Sequence, residues 1–156
     1  MRHPTNESAN RSWIAAAGTG DNAGMFYRFA AEVPLRWVDV DSAGVVNNAT
    51  FLSMMEQARY AYFTELGLLR DHNVPFVLAE TTIQFVRPGR LGMRTEVAAA
   101  TTKLGNTSFE MQYEVRVGDD VLAKAKATLV FVDDQMQPRA IPEDFRATMA
   151  QFEELS

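Results

Sequence analysis

The chain has no cysteine among its 156 residues. Disulfides, thiolate metal sites and a cysteine nucleophile are therefore excluded outright. Histidine is nearly absent too: His3 and His72 are the only two, too few for a histidine-based metal centre, and nothing around His72 supplies the partners of a serine triad. No apolar run approaches the roughly 20 residues a membrane helix requires, and the N-terminus lacks a signal peptide's apolar stretch. No membrane span is expected, and the expected compartment is the cytoplasm. Positive charge is outweighed, with 15 Lys and Arg against 20 Asp and Glu, a formal net charge of −5. That argues against nucleic acid as a partner and leaves only local basic patches for an anionic ligand. A glycine-rich phosphate cradle, a Gly-x-Ser-x-Gly elbow and a His-Glu-x-x-His helix are all missing. What is present is 47% hydrophobic and 22% charged, a balance that suits one globular domain with a core of its own.

Residues 1–24 are rich in Asn, Ser, Thr, Gly and Ala, a composition that buries too little to offset ordering, so they are expected to be a disordered leader to a single domain over 25–156. Phe26 to Val38 mixes aromatic and β-branched residues as a strand would, with Pro34 marking an edge or bulge. From Ala49 to Leu66 there is no Pro or Gly, and Gly67 supplies the stop. Phe51, Met55, Ala58, Tyr62 and Leu66 recur at helical spacing, flanked by Leu52, Met54, Ala61 and Phe63. Only Gln57, Arg59, Thr64 and Glu65 are expected to face water, so the helix should be mostly buried. The period then changes to two. Val77, Ala79, Thr81, Ile83 and Phe85 alternate with Leu78, Glu80, Thr82 and Gln84 until Pro88-Gly89, and a third strand runs from Met93 to Lys103. Leu104-Gly105-Asn106 makes a hairpin turn. Phe109, Met111, Tyr113, Val115 and Val117 share one face of a fourth strand. A fifth, from Val121 to Val132, carries Ala123, Ala125 and Ala127 on one face, small enough for a helix to come close. Pro142 opens a short C-terminal helix with Phe145, Met149 and Phe152 on one side. The order is α+β: one antiparallel sheet curled around one long helix. A sheet covered on one side by one helix leaves surface to hide, so an oligomer is expected.

The chemistry is sought between the first strand and the helix. Asp39, Asp41 and Ser42 favour turns, Gly44 tolerates positive φ, and Asn47 and Asn48 sit where a helix cap is wanted. Asp39-Val-Asp41-Ser-Ala43-Gly44 opens like a calcium loop, but its fifth position is Ala43 and its twelfth is Thr50 rather than a bidentate Glu, so no metal is expected there. What remains is a carboxylate, Asp41, beside the positive end of a helix. Such a group serves as general base or nucleophile, while helix N–H groups polarise a carbonyl. The structural alternative is that both aspartates only hold turns.

This stretch resembles a known family. Asp39-x-Asp41-x-x-Gly44-x-Val46-Asn47-Asn48, then Phe51 and Glu56-x-Ala58-Arg59, is similar to the 4-hydroxybenzoyl-CoA thioesterase family of hotdog-fold acyl-CoA thioesterases. The likeness continues through Phe85-x-Arg87-Pro88, Leu104-Gly-Asn-Thr-Ser108-Phe109 and Ile141-Pro142, covering roughly residues 26–145. The resemblance implies a hotdog fold, a five-stranded antiparallel sheet wrapped around one long central helix, paired into a homodimer or homotetramer with its acyl-CoA sites at the subunit interface. It implies hydrolysis of an acyl-CoA or acyl-carrier thioester to an acid and free thiol, without a cofactor. Asp41 matches the catalytic carboxylate, and Asn48 matches the residue whose N–H polarises the thioester carbonyl, with Asn47 beside it. Many relatives have His where this chain has Val45, although members that work through the Asp often carry Val or Ile there.

Other positions keep two readings each. Glu56 is a second polar group for the site, or an ion-pair partner for Arg59 one turn on. Arg87, Arg90, Arg94 and Lys103 are phosphate contacts for coenzyme A, or an ordinary solvated strand face. Phe51, Met54, Met55 and Phe63 line an acyl pocket, or simply fill the core. A hotdog dehydratase would need a catalytic His that the motifs do not supply. The reading from another class is a non-catalytic hotdog domain that binds acyl thioesters or scaffolds a complex.

Overall fold

The structure, a computed structural model, describes residues 25–156; the leader expected over 1–24 lies outside the described residues. The elements are β1 (Phe29–Glu32), a single 3₁₀ turn (Trp37–Asp39), α1 (Asn48–Glu65), β2 (Phe76–Phe85), β3 (Glu96–Leu104), β4 (Ser108–Val117), β5 (Asp120–Phe131) and α2 (Glu143–Glu153). The five strands form one sheet in the order β1-β3-β4-β5-β2, and every neighbouring pair is antiparallel. α1 lies on the inner face over β1, β3 and β4, and α2 closes against β3. β2 is therefore the free edge on the side away from α1's closest packing.

The inner face follows the period-two pattern. Phe109, Met111, Tyr113 and Val115 of β4 are buried, as are Ala123, Ala125, Ala127, Leu129 and Phe131 of β5. α1 contributes Phe51, Met54, Met55, Ala58, Tyr62 and Phe63 to the same core. Phe63 anchors an aromatic cluster with Phe76, Phe109 and Phe145, its ring centroids 4.9–6.0 Å from theirs. Burying each such ring contributes roughly 1.5–3 kcal/mol. The helix begins where Asn47 Oδ1 accepts the Ala49 N–H at 2.9 Å and stops before Gly67, whose φ is +70°.

Four expectations need correction. The first strand is four residues long rather than thirteen. Pro34 has no N–H to continue the ladder beyond Val33, whose own N–H bonds the Thr95 carbonyl at 3.0 Å. Asp39 then accepts the Arg36 N–H at 2.7 Å and folds the chain into a turn that leaves Trp37 and Val38 exposed at 78% and 73%. Second, the alternation in β2 is interrupted: the register shifts between Leu78 and Glu80. Phe76 and Leu78 thus lie opposite Phe131 and Leu129, while Thr81, Ile83 and Phe85 lie opposite Ala127, Ala125 and Ala123. Third, α1 packs against β1 and β3 rather than against the alanines of β5, and one of those alanines, Ala127, lines a cavity instead. Fourth, Arg59 is buried, at 8% exposure.

Candidate active site

The loop between the 3₁₀ turn and α1 folds back on itself and is held from both ends. The Asn47 N–H donates to the Asp39 carbonyl at 2.9 Å, and Val40 and Val46 form an antiparallel bridge. Asp39 itself is 5% exposed. Its carboxylate takes the Arg36 Nη2 at 2.9 Å and Nε at 3.2 Å besides the backbone N–H. These bonds hold the Asp39 carboxyl below the usual carboxylate range. A second strap comes from the segment after β2. The Val46 N–H donates to the Gly89 carbonyl at 2.8 Å, and Val45 bridges Arg90. A side chain at Gly89 would bring a Cβ to 2.9 Å from Val46 Cγ2, so only glycine allows this approach.

Asp41 sits at the exposed tip of this loop. Its Oδ1 accepts two backbone bonds, from Ala43 N at 2.9 Å and Val45 N at 3.2 Å. One carboxylate oxygen is thereby fixed, and Oδ2 is left without a bond among the described residues. Gly44 closes the turn at φ +74° and donates its N–H to the Asp41 carbonyl at 3.0 Å. At the helix start, Asn47 uses its side chain on the Ala49 N–H and its carbonyl on the Thr50 N–H. The Asn48 N–H has no partner among the described residues. A half-free carboxylate and an unclaimed helix N–H therefore face solvent from the two ends of one clamped loop.

The other predicted residues divide. Arg87 is paired with Asp120 at 2.6 Å, Arg94 with Glu32 at 3.1 Å and Lys103 lies 4.0 Å from Glu110. Arg90 has no carboxylate within 4.0 Å among the described residues, and it lies beside the Asp41 loop through its bridge to Val45. Phe51 is buried and meets Phe85 edge to face at 5.5 Å, so it belongs to the core. Met55 instead lines a cavity of about 410 Å³ between α1 and the β2 side of the sheet, together with Leu52, Glu56, Leu78 and Ala127. Arg59 and Tyr113 also stand in its wall. The ion pair expected between Glu56 and Arg59 is not formed: Arg59 Nη1 donates to the Tyr113 hydroxyl at 3.0 Å, and Glu56 stays exposed. The sequence did carry a signal for this, because Arg59 follows Met55 by four residues and precedes Tyr62 by three, on the apolar stripe. His72 bonds the hydroxyl of Tyr60, another residue of the cavity wall. Among the described residues no group of three or more His, Cys, Asp or Glu is placed to hold a metal, and no helix is long and apolar enough to cross a membrane.

The acyl-CoA thioester hydrolase YbgC of Escherichia coli O6:H1 is 29% identical over 130 residues, covering 79% of this chain and 96% of that protein. The 1,4-dihydroxy-2-naphthoyl-CoA hydrolase of Rippkaea orientalis is 32% identical over 113 residues, covering 67% and 82%. A thioesterase from Thermus thermophilus, solved with coenzyme A and Zn, superposes with a TM-score of 0.73 at 34% identity, covering 80% of this chain and 94% of that one. Its likeness identifies the sheet and helices described above as the hotdog thioesterase fold. With residues 35–149 matching the family profile, the chain belongs to the thioesterase-like superfamily and is a thioester hydrolase.

Proposed function

We propose that the chain hydrolyses acyl-CoA thioesters by the carboxylate route of the 4-hydroxybenzoyl-CoA thioesterase branch, with Asp41 as the reacting carboxylate. The observation that carries this reading is the asymmetry of Asp41, with Oδ1 tied to two backbone N–H groups and Oδ2 unclaimed. The thioester carbonyl oxygen is received by the Asn48 N–H, where the helix dipole and an unpaired donor both favour developing negative charge. Oδ2 attacks the carbonyl carbon, or takes a proton from the water that attacks it. The C–S bond then breaks, and the thiolate leaves and is protonated. On the nucleophilic route this leaves a mixed anhydride between Asp41 and the acyl group, which water hydrolyses to release the carboxylate and restore Asp41. On the general-base route the attacking water already supplies the second oxygen of the released carboxylate. Arg90, the cation beside the loop without an acid partner among the described residues, meets a phosphate of coenzyme A. Asn47 supports the site as the cap that orients the helix start. The acyl group enters the cavity lined by Met55 and Ala127, with Phe51 as its packed support and Glu56 on its exposed wall. The working unit is a homo-oligomer, and its compartment is the cytoplasm.

Asp41→Asn tests this directly. The amide keeps an oxygen for the Ala43 and Val45 N–H groups, so the fold survives while the charge is removed. The rate of thiol release from an acyl-CoA should fall by about 10²–10⁴-fold, with little change in KM. An Asp41→Asn enzyme as fast as the parent would reduce Asp41 to a turn residue. Arg90→Gln should instead raise KM for the CoA ester with kcat nearly unchanged.

A further inference from the structure

We propose that Arg59 selects the acyl group: its guanidinium, in the wall of the cavity, receives an anionic oxygen at the distal end of the acyl chain, a terminal carboxylate above all. The inference rests on the reading of this cavity as the acyl site. Its basis is a charge that the fold buries without neutralising. Arg59 is 8% exposed, yet the partner it has is the neutral Tyr113 hydroxyl, 3.0 Å from Nη1. The Tyr113 ring, 5.9 Å from the guanidinium carbon, adds a weak cation–π attraction. No carboxylate lies within salt-bridge distance among the described residues. Glu56, the exposed acid on the same wall, leaves it unpaired. An arginine carries five N–H donors in a planar fork, and a buried guanidinium without a counter-ion is costly. One donor is spent on Tyr113, and no other hydrogen bond of the guanidinium is formed among the described residues, although Arg59 stands in the cavity wall. A carboxylate that meets two of the remaining donors at once completes both the charge and the hydrogen bonds.

The alternative occupant, a plain alkyl chain, would cover the guanidinium and strip its remaining donors of water without replacing the bonds. That is the arrangement a buried polar group penalises most. Ser53, Tyr60 and Thr81 also stand in the wall, so the cavity is apolar along Leu52, Met55, Leu78 and Ala127 but not at every point. Position sets the length. Arg59 lies three helical turns beyond Asn48, roughly 16 Å along the axis, and helical side chains lean back towards the N-terminus. A chain anchored by its carbonyl at Asn48 therefore needs medium length to reach the guanidinium.

The test uses non-hydrolysable thioether analogues of acyl-CoA over a ladder of about six to twelve carbons, each made with a methyl, a hydroxyl and a carboxylate end. Binding is measured by calorimetry, which does not depend on turnover. The parent should bind the carboxylate-ended analogue at least about 10-fold more tightly than its methyl-ended twin at the best length. Arg59→Met should invert that order, and Arg59→Lys should keep the sign with a smaller ratio, because an ammonium lacks the fork. If the parent binds methyl ends as tightly at every length, or if Arg59→Met keeps the parent's order, the assignment is wrong. The parent comparison needs no variant, so an Arg59→Met protein that fails to fold does not rescue it. Hydrolysis of the matching thioesters is followed separately. Selective binding with no hydrolysis would sink the thioesterase reading and keep Arg59's role, whereas hydrolysis with no end-group preference would do the reverse.

Discussion

Asp39 and Asp41 lie two residues apart and meet opposite surroundings. Asp39 is buried, and both its oxygens are held by Arg36; Asp41 is exposed and has one oxygen unclaimed. The first arrangement suits architecture and the second suits chemistry. Asp39→Asn should therefore act on stability, lowering it by about 1–3 kcal/mol through the loss of charged hydrogen bonds, and on activity only as far as the loop loosens. Because Arg36 holds the Asp39 carboxyl below its ordinary value, its contribution is present above the unfolded carboxylate's pKa. It is lost as pH falls through the folded one. Denaturation of parent and variant should thus differ at neutral pH and converge in acid; a gap that widened in acid would contradict the assignment. Asp41 and the helix cap were legible in the sequence because turn residues and caps act within a few residues of themselves. Arg59 was legible only by its place on the apolar stripe, against the rule that a single charged residue on a helix is normally wet. Its burial depends on Tyr113, 54 positions away.

Elements explain how the site is held rather than what it contains. The Asp41 loop is pinned by the segment leaving β2, and the tightest point is Gly89 against Val46. Gly89→Ala should push Val46 outward, at a cost of about 1–3 kcal/mol, and move the Val45–Arg90 bridge with it. Thermal stability and the hydrolysis rate should both fall. Gly92→Ala meets open space but is strained by a φ of +89°, so it should cost stability without displacing Val46. At the other end of α1, the Tyr62 hydroxyl donates to Glu153 at 2.8 Å, and the Thr101 N–H donates to the same oxygen at 3.0 Å. Burial raises the Glu153 carboxyl above its ordinary value, against the opposing pull of these bonds. A raised acid favours the folded state at low pH, and that advantage is lost as pH rises from the unfolded to the folded pKa. Glu153→Gln keeps an acceptor for both donors and removes the buried charge. It should raise stability at neutral pH, and the gain should shrink as pH falls. The strand sequence and hairpin turns were readable because alternation and turn residues are local signals. The length of β1 and the shift within β2 were not, since they depend on Asp39 bonding Arg36 and on how β5 is registered against Leu78.

The sheet's outer face answers part of the question of what the whole molecule must cover. Glu110 pairs with Lys126 at 2.9 Å, and Arg116 with Glu96 at 2.6 Å. Tyr27 packs with Ala30, Ala98 and Ala100. Ion pairs and one small cluster cover much of that face, although Arg116 Nη2 is buried there without a hydrogen-bond partner among the described residues. The edges of the sheet are the other surface expected to need cover. Leu78, at 43% exposure, Phe85 and Val86 lie on the free edge of the sheet, with Val74 before it and Leu52 exposed on α1. An edge strand offers unpaired N–H and C=O groups as well as side chains, and a second copy related by a two-fold axis satisfies both at once. Leu52 and Leu78 also line the cavity, so pairing at this edge would close it. Light scattering should therefore give a mass at least twice the 17.4 kDa of one chain at micromolar concentration. Leu78→Lys places a charge at the centre of this surface and should shift the mass towards one chain. Because the cavity loses its cover, thiol release should fall with it, and both should recover together as protein concentration rises. A Leu78→Lys monomer as active as the parent would show that one chain holds a complete site.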